Sequence, residues 1–286
     1  MNSWRPIARR RDSPRLFSVG FAMAIVMVFS HAMSLLAHSN RPGTIYYHGD
    51  IHAKKIALTF DDGPNEPYTS QVLSILRDHH VRATFFLLGK NVETFPDAAR
   101  KIVQDGHAIG NHSYSHKDLV LGTNGVVRRE ITKGEQAIEA ATGERPTLFR
   151  PPYGDKDFLT VEQTRKLGYV IVEWSVTAED WRKPGVDHIA KNILAHVRNG
   201  SIILMHDGDK TRHGSDRSQT VEALPAILSE LQRQGYEFVT IPELLNLPPA
   251  AGGTLIANAA MSHSPASATA PLPASPSWRT NNPTKP

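Results

Sequence analysis

The segment Lys55-Ile-Ala-Leu-Thr-Phe-Asp-Asp-Gly63 gives the clearest indication of the architecture of this chain. Its first six residues, 55–60, form a short, mostly apolar run of the kind found in buried strands. The run stops at Asp61 and Asp62, which are followed by a glycine. The sequence therefore predicts a strand that presents two adjacent carboxylates at its carboxyl end.

Strand-like and helix-like segments alternate from this point onward. The predicted strands cover residues 55–60, 83–88, 107–111, 147–150, 169–175, 201–206 and 236–240. The predicted helices cover residues 68–80, 96–105, 126–142, 160–167, 186–199 and 219–234. Repeated alternation indicates a parallel sheet, and so many β/α units in a short chain favour a barrel over an open sheet. We therefore predict one catalytic domain of the α/β class.

Polar side chains that could take part in catalysis or metal binding follow the predicted strands. They are Asp61, Asp62, His112, His116, Arg150, Asp180 and His206. In barrels of this class, active sites gather at the carboxyl ends of the strands. The position of the polar groups and the predicted fold therefore support each other.

Two histidines and the aspartate pair suggest a metal site. His112 and His116 stand four residues apart, which would place both rings on one face of a helical turn. Two imidazoles and one carboxylate can hold a catalytic divalent metal such as zinc and leave one position for water. The other aspartate could then act as a base on that water, which indicates metal-assisted hydrolysis. Taken singly, an Asp pair is also typical of a loop cap, and a His pair of a solvated surface.

Composition narrows the alternatives. The 286 residues include no cysteine, so a metal must bind His, Asp or Glu and no disulfide can form. The formal net charge of +4 equals the charge of residues 1–40 alone, where five arginines face one aspartate. Residues 41–286 are therefore neutral overall, and the charge gives no support for a nucleic-acid partner.

The two ends of the chain differ from its middle. In residues 1–40, arginines precede an apolar run, which predicts a signal peptide or a membrane anchor and an exported protein. The catalytic domain is expected over residues 41–248. Residues 249–286 are rich in Ala, Ser, Pro and Thr, which predicts a disordered tail. Membrane contact is expected only through the N-terminal segment, with action in the periplasm, at the cell surface or outside the cell.

Five motifs in order resemble the polysaccharide deacetylase family, carbohydrate esterase family four. They are Thr-Phe-Asp-Asp-Gly (59–63), His-Ser-Tyr-Ser-His (112–116), Arg-Pro-Pro-Tyr-Gly (150–154), Glu-Asp-Trp (179–181) and Leu-Met-His (204–206). The resemblance spans about residues 52–247 and implies a distorted (β/α)7-type barrel. It also implies a divalent metal, zinc or alternatively cobalt, and removal of acetyl groups from sugars in polymers.

The resemblance also implies a role for each residue. Asp62, His112 and His116 would bind the metal, Asp61 would be the base, and Arg150 would orient Asp61. Tyr153 would offer its backbone N–H to the oxyanion, and Leu204 and Trp181 would line the acetyl pocket. One departure is Thr177, which stands where members often carry an aspartate.

Amide hydrolysis needs an acid, because an amine anion is a very poor leaving group. His206 is the candidate. A carboxylate beside it would raise its pKa; the family suggests Asp180, and Asp207 is the local alternative.

The expected substrate is an N-acetylated amino-sugar polymer such as peptidoglycan or a chitin-like glycan, from which acetate is released. Two alternatives within the family are an esterase acting on O-acetylated xylan and a hydrolase of a small amide. A third, from another class, is an inactive glycan-binding module. That module would lack an acid or a base, whereas Asp61 and His206 are both present.

Overall fold

The structure, a computed structural model, describes residues 42–210 and 214–248. The predicted N-terminal segment, residues 1–40, and the predicted tail, residues 249–286, lie outside the described residues. Among the helices of the described part, none has the length and apolar character needed to cross a membrane.

The described chain forms one parallel sheet flanked by helices. Its strands are β1 (Ile45–Tyr46), β2 (Lys55–Asp61), β3 (Thr84–Leu87), β4 (Ala108–Asn111), β5 (Leu148–Phe149), β6 (Val170–Val172), β7 (Val176–Thr177), β8 (Ile202–His206) and β9 (Glu237–Phe238). Their order in the sheet is β1-β6-β5-β4-β3-β2-β8-β7, and β9 pairs with β2. Every pairing of these strands is parallel. The predicted distorted (β/α)7-type barrel is confirmed as a curled, incompletely closed sheet.

Helices connect the strands. They are α1 (Tyr68–Asp78), α2 (Gly89–Thr94), α3 (Pro96–Gln104), α4 (Asn124–Thr142), α5 (Phe158–Lys166), α6 (Val186–His196), α7 (Ser218–Arg233) and α8 (Ile241–Leu244). All seven predicted strands and six predicted helices have counterparts here, with ends displaced by no more than three residues. The predicted strand 169–175 differs most in length from its counterpart, because only Val170–Val172 forms a strand.

Four short elements were absent from the prediction: β1, β7, α2 and α8. Two-residue strands are too short to show an alternating pattern. Helix α2 begins at Gly89 and carries Lys90, Asn91 and Glu93, so its apolar periodicity is weak. Helix α8 contains a proline at its second position, Pro242, but starts with a capping box between Thr240 and Glu243.

Strand β2 lies at the centre of the core, because both of its faces are covered. Ile56, Leu58 and Phe60 are fully buried and belong to the main apolar cluster, while Ala57 faces a second cluster. The rings of Phe60 and Phe85 stack with centroids 5.1 Å apart. This packing fixes the carboxyl end of β2, and with it the position of the aspartate pair.

Candidate metal and active site

The two aspartates leave β2 in different directions. Asp61 is the last residue of the strand and pairs in register with His206, the last residue of β8. Asp62 has a positive φ of 69°, which turns its backbone out of the strand. Asn91 supports that turn, because its Nδ2 donates a hydrogen bond to the carbonyl oxygen of Asp62 at 2.7 Å. Both carboxylates are buried but face different partners.

His112 and His116 lie on an irregular loop that follows β4, so the predicted helical turn is wrong. Ser113 and His116 have φ values of 72° and 56°, which no α-helix contains. Local polar contacts impose this shape: the N–H of Ser113 donates to Oδ1 of Asn111 at 2.9 Å, and the N–H of His116 donates to Oγ of Ser113 at 3.0 Å. The two rings nevertheless meet edge to face, with centroids 4.9 Å apart.

Asp62, His112 and His116 converge on one point. Oδ1 of Asp62 lies 3.6 Å from Nε2 of His112 and 3.4 Å from Nε2 of His116. One donor atom from each of the three residues falls within 4.8 Å of the others. Two donors bound tetrahedrally to one zinc ion at normal bond lengths stand about 3.3–3.4 Å apart. The spacing therefore fits a small divalent cation.

One metal-facing oxygen of this cluster lacks a hydrogen-bond partner. Oδ1 of Asp62 is buried and accepts no hydrogen bond within the described chain. A buried carboxylate oxygen without a donor is costly, and such groups are usually paired or bound to a metal. The donor set of one carboxylate and two imidazoles is one that divalent zinc accepts. We conclude that these three residues fit a divalent metal.

Burial leaves the histidines of the cluster neutral. It lowers the pKa of His112 and of His116 to about 3. Nδ1–H of His112 donates to the carbonyl oxygen of Arg150 at 2.7 Å, which leaves the lone pair on Nε2, the atom that faces Asp62. Burial also raises the pKa of Asp62 to about 7. A cation would favour the ionised carboxylate, because opposite charge offsets the cost of burial.

Arg150 is fully buried and holds Asp61. Its Nη1 donates to Oδ1 of Asp61 at 2.6 Å and to Oγ1 of Thr59 at 2.9 Å. The guanidinium also donates to the carbonyl oxygens of Val172 and Glu173. Because Arg150 follows β5 and Asp61 ends β2, this contact crosses the curled face of the sheet. Burial raises the pKa of Asp61, and the charge of Arg150 opposes that rise.

Asp180 is the carboxylate beside His206. Its Oδ1 lies 2.8 Å from Nδ1 of the His206 ring. Burial alone would lower the pKa of His206, but the charge and hydrogen bond of Asp180, together with the charges of Asp62 and Asp61, outweigh burial and raise that pKa to about 9. The alternative, Asp207, instead accepts a hydrogen bond from Oγ1 of Thr69 at 2.5 Å. The contact between Asp180 and His206 therefore forms although position 177 carries a threonine in place of the aspartate that family members often have.

The remaining predicted residues border a pocket of about 330 Å³. Tyr153, Trp181 and Leu204 all line it. The Tyr153 ring packs edge to face on His116 at 4.6 Å, and the Trp181 ring on His206 at 5.5 Å. Eight of the ten predicted site residues line this pocket, and the other two, Arg150 and Asp180, hold Asp61 and His206 from behind.

Six further lining residues were absent from the prediction: Pro151, Gly154, Trp174, Asp209, Lys210 and Arg217. Asp209 and Lys210 lie within four residues of the end of β8, so the rule that barrel sites collect after strands could have found them. Nζ of Lys210 contacts the hydroxyl of Tyr153 at 3.2 Å. Arg217 precedes α7, and its Nε donates to the carbonyl oxygen of Gly208 at 2.6 Å. The sequence carries no signal for that contact.

Comparison with known proteins shows the family of this chain. The family model described as polysaccharide deacetylase matches residues 48–172. A peptidoglycan-N-acetylglucosamine deacetylase from Bacillus cereus is 41% identical over 194 residues, covering 67% of this chain and 88% of that protein. A chitooligosaccharide deacetylase from a Bradyrhizobium species is 38% identical over 205 residues, covering 69% of this chain and 94% of that protein.

A solved structure agrees with the fold. The crystal structure of a peptidoglycan N-acetylglucosamine deacetylase superposes with a TM-score of 0.67 at 35% identity, covering 72% of this chain and 94% of that one. The family model's match, residues 48–172, includes the aspartate pair, the two histidines and Arg150. The chain belongs to the polysaccharide deacetylase family.

Proposed function

We propose that this protein is a metal-dependent hydrolase that removes acetyl groups from N-acetylated amino-sugar polymers and releases acetate. One observation carries the proposal: three donor atoms that could hold a metal, the carboxylate of Asp61 and the ring of His206 meet around one pocket. Asp61 and His206 stand opposite each other on adjacent strands, with Asp62 beside them. We propose zinc as the native metal, with cobalt as the alternative.

Asp62, His112 and His116 would hold the metal through Oδ1 and the two Nε2 atoms. When bound, a divalent metal supplies Lewis-acid activation of water and of a carbonyl group. Asp61 would take the proton of the attacking water on Oδ2, since its Oδ1 is engaged by Arg150 at 2.6 Å. Arg150 therefore fixes which oxygen of the base is available and in which direction it points.

His206 would protonate the departing amine. Its Nδ1 is held by Asp180, so the proton that it can transfer lies on Nε2, on the side of the pocket that His206 lines. A pKa of about 9 keeps the ring protonated at neutral pH, as an acid for this step requires. Asp61 and His206 thus divide the two proton transfers of amide hydrolysis between them.

Tyr153, Leu204 and Trp181 would receive the acetamide. The backbone N–H of Tyr153 would donate to the developing oxyanion. Leu204 is buried at the base of the pocket, and Trp181 is 42% exposed at its rim. An apolar wall of this kind favours the acetyl methyl group, because burying it removes apolar surface from water.

We infer the substrate class from the relatives and from the rim of the pocket. The relatives are named for peptidoglycan N-acetylglucosamine and for chitooligosaccharides. Tyr153 and Trp181 expose aromatic surface beside the pocket, which suits the apolar face of a sugar ring. We also propose that the catalytic domain spans residues 41–248 and acts outside the cytoplasm, with residues 1–40 as its export signal or anchor.

Acetate release tests the proposal. Metal-free protein would be loaded with zinc or cobalt and given peptidoglycan, N-acetylglucosamine oligomers and acetylxylan in parallel. We expect acetate from at least one N-acetylated glycan, only with metal. Acetate from acetylxylan alone would identify an esterase instead. No acetate from any of these substrates, although metal binds, would identify a glycan-binding module without turnover.

A further inference from the structure

Tyr153 and Gly154 adopt an unusual backbone shape beside the pocket. Their φ values are 63° and 72°, so two consecutive residues lie in the left-handed region. For tyrosine this conformation is disfavoured, because its Cβ crowds the backbone, and it persists only where surrounding contacts impose it. The direction of the Tyr153 N–H depends on this shape, so the contacts that maintain it are of functional interest.

Gly154 is pressed against the end of β6. A Cβ added to this glycine would lie 2.7 Å from Cη2 of Trp174 and 3.1 Å from Oε2 of Glu173. Its carbonyl oxygen accepts a hydrogen bond from Nζ of Lys156 at 3.0 Å. The same Nζ forms an ion pair with Oε1 of Glu173 at 2.8 Å. Lys156 therefore ties the Tyr153–Gly154 turn to Glu173.

The Lys156–Glu173 pair is too well buried to be a surface ion pair. The side chain of Glu173 is 4% exposed and that of Lys156 is 16% exposed. Buried pairs gain little net stability, because removing both charges from water offsets their attraction. The backbone carbonyl oxygen of Glu173 also accepts a hydrogen bond, from Nη2 of Arg150 at 3.1 Å. One residue thus contacts both the group that orients Asp61 and the group that holds the turn.

We propose that Lys156 and Glu173 are positioning residues that hold the Tyr153 backbone N–H in place for the oxyanion of the reaction. Neither residue lines the pocket, so both would act through the turn rather than on the substrate. The inference rests on the proposed function. It predicts a loss in the chemical step, because an oxyanion contact strengthens only in the transition state.

Lys156→Met, Lys156→Arg, Glu173→Gln and the double variant Lys156→Met/Glu173→Gln test this role. The readouts are kcat and KM for acetate release from an N-acetylglucosamine oligomer, zinc affinity and the thermal unfolding midpoint. Loss of a complete oxyanion donor costs about 10²–10³-fold in kcat, so misplacing one should cost about 10-fold. We expect that loss for Lys156→Met and Glu173→Gln, with unchanged KM and zinc affinity. Lys156→Arg should recover most of the rate.

The double variant shows whether Lys156 and Glu173 act together or independently. We expect its kcat to match that of the slower single variant, because the two residues act as one unit. The matched control is Lys101→Met on α3, which breaks an ion pair with Asp105 away from the pocket and should leave kcat unchanged.

Three results would overturn the proposal: wild-type kcat in both single variants, additive losses in the double variant, or an effect confined to KM. Absence of acetate release by the wild-type protein would instead refute the proposed function, and this inference with it.

Discussion

Asp180 holds His206 at two points: Oδ1 lies 2.8 Å from the ring Nδ1, and Oδ2 accepts the backbone N–H of His206 at 2.8 Å. A third donor, the hydroxyl of Thr220, contacts Oδ2 at 2.8 Å. These bonds keep the carboxylate ionised although it is buried. The backbone N–H of His206 therefore helps to hold the carboxylate of Asp180 beside the His206 ring.

The first prediction concerns the protonation of His206. In metal-free protein its ring should titrate near pH 9, and Asp180→Asn should lower that midpoint, since burial alone depresses the pKa. The folded pKa lies above the usual 6.5, so the stabilisation by this contact is complete below pH 6.5 and disappears as the pH rises through about 9. NMR titration of the ring measures the midpoint, and an unchanged midpoint in Asp180→Asn would refute the assignment.

The second prediction concerns the base. Asp61→Asn should lower kcat by about 10²–10⁴-fold, because a general base contributes about that factor. Zinc affinity should be retained, since Asp61 is not one of the three proposed ligands. Acetate release and zinc titration measure the two effects separately. Asp97→Asn, which removes an exposed carboxylate from α3, is the control. Full activity in Asp61→Asn would assign the base elsewhere.

The third prediction concerns the metal ligands. His116→Ala should weaken zinc binding by more than about 100-fold, because loss of a group that only supports a ligand already costs about 10- to 100-fold. The control is His188→Ala, on α6, which is exposed and distant from the cluster in sequence. Calorimetric titration with zinc measures both variants. Equal affinities for the two would exclude His116 as a ligand.

The fourth prediction concerns protons released on metal binding. His112 and His116 are already neutral near pH 6, whereas the pKa of Asp62 is about 7. Binding should therefore release close to one proton at about pH 6 and few at about pH 8, because the carboxylate must be ionised to bind. Zinc calorimetry in buffers with different ionisation enthalpies counts these protons. Binding at about pH 6 without release of a proton would contradict this account.

The fifth prediction concerns the burial of Arg150. Arg150→Met should lower the free energy of unfolding by about 3–5 kcal/mol, because it leaves Asp61 as a buried carboxylate without its partner. Asp61→Asn in the same chain should restore part of that loss. The control is Arg100→Met on α3, where an exposed pair contributes at most about 1 kcal/mol. Urea denaturation measures all three variants, and equal losses in the two Arg variants would refute the argument.

The sequence predicts much of the fold because its strong signals are local. Strand β2 is a compact run of apolar residues that stops at Asp61, and α4 ends at Gly143, which adopts φ 77°. Such features act within a few residues and can be read from one chain. The same holds for the place of the polar groups, since parallel strands bring their carboxyl ends to one side of a barrel.

The loop from His112 to His116 shows where such reasoning stops. The spacing of the two histidines is compatible with a helix, but the side chains of Asn111 and Ser113 accept backbone N–H groups of the loop, and Ser113 and His116 adopt positive φ values that an α-helix does not contain. The choice of Asp180 over Asp207 likewise depends on how the segment after β7 folds back on β8. Contacts between distant segments decide both, and spacing along the chain does not encode them.

Five residues near the pocket hold a positive φ without being glycine: Asp62, Ser113, His116, Tyr153 and Glu179. Replacing any of them by glycine would relieve backbone crowding. A search for thermostable variants that scores each position by conformational preference alone would therefore select these substitutions, and two of them would delete a proposed zinc ligand. Selection for greater heat tolerance in this enzyme should accordingly be coupled to a screen for turnover.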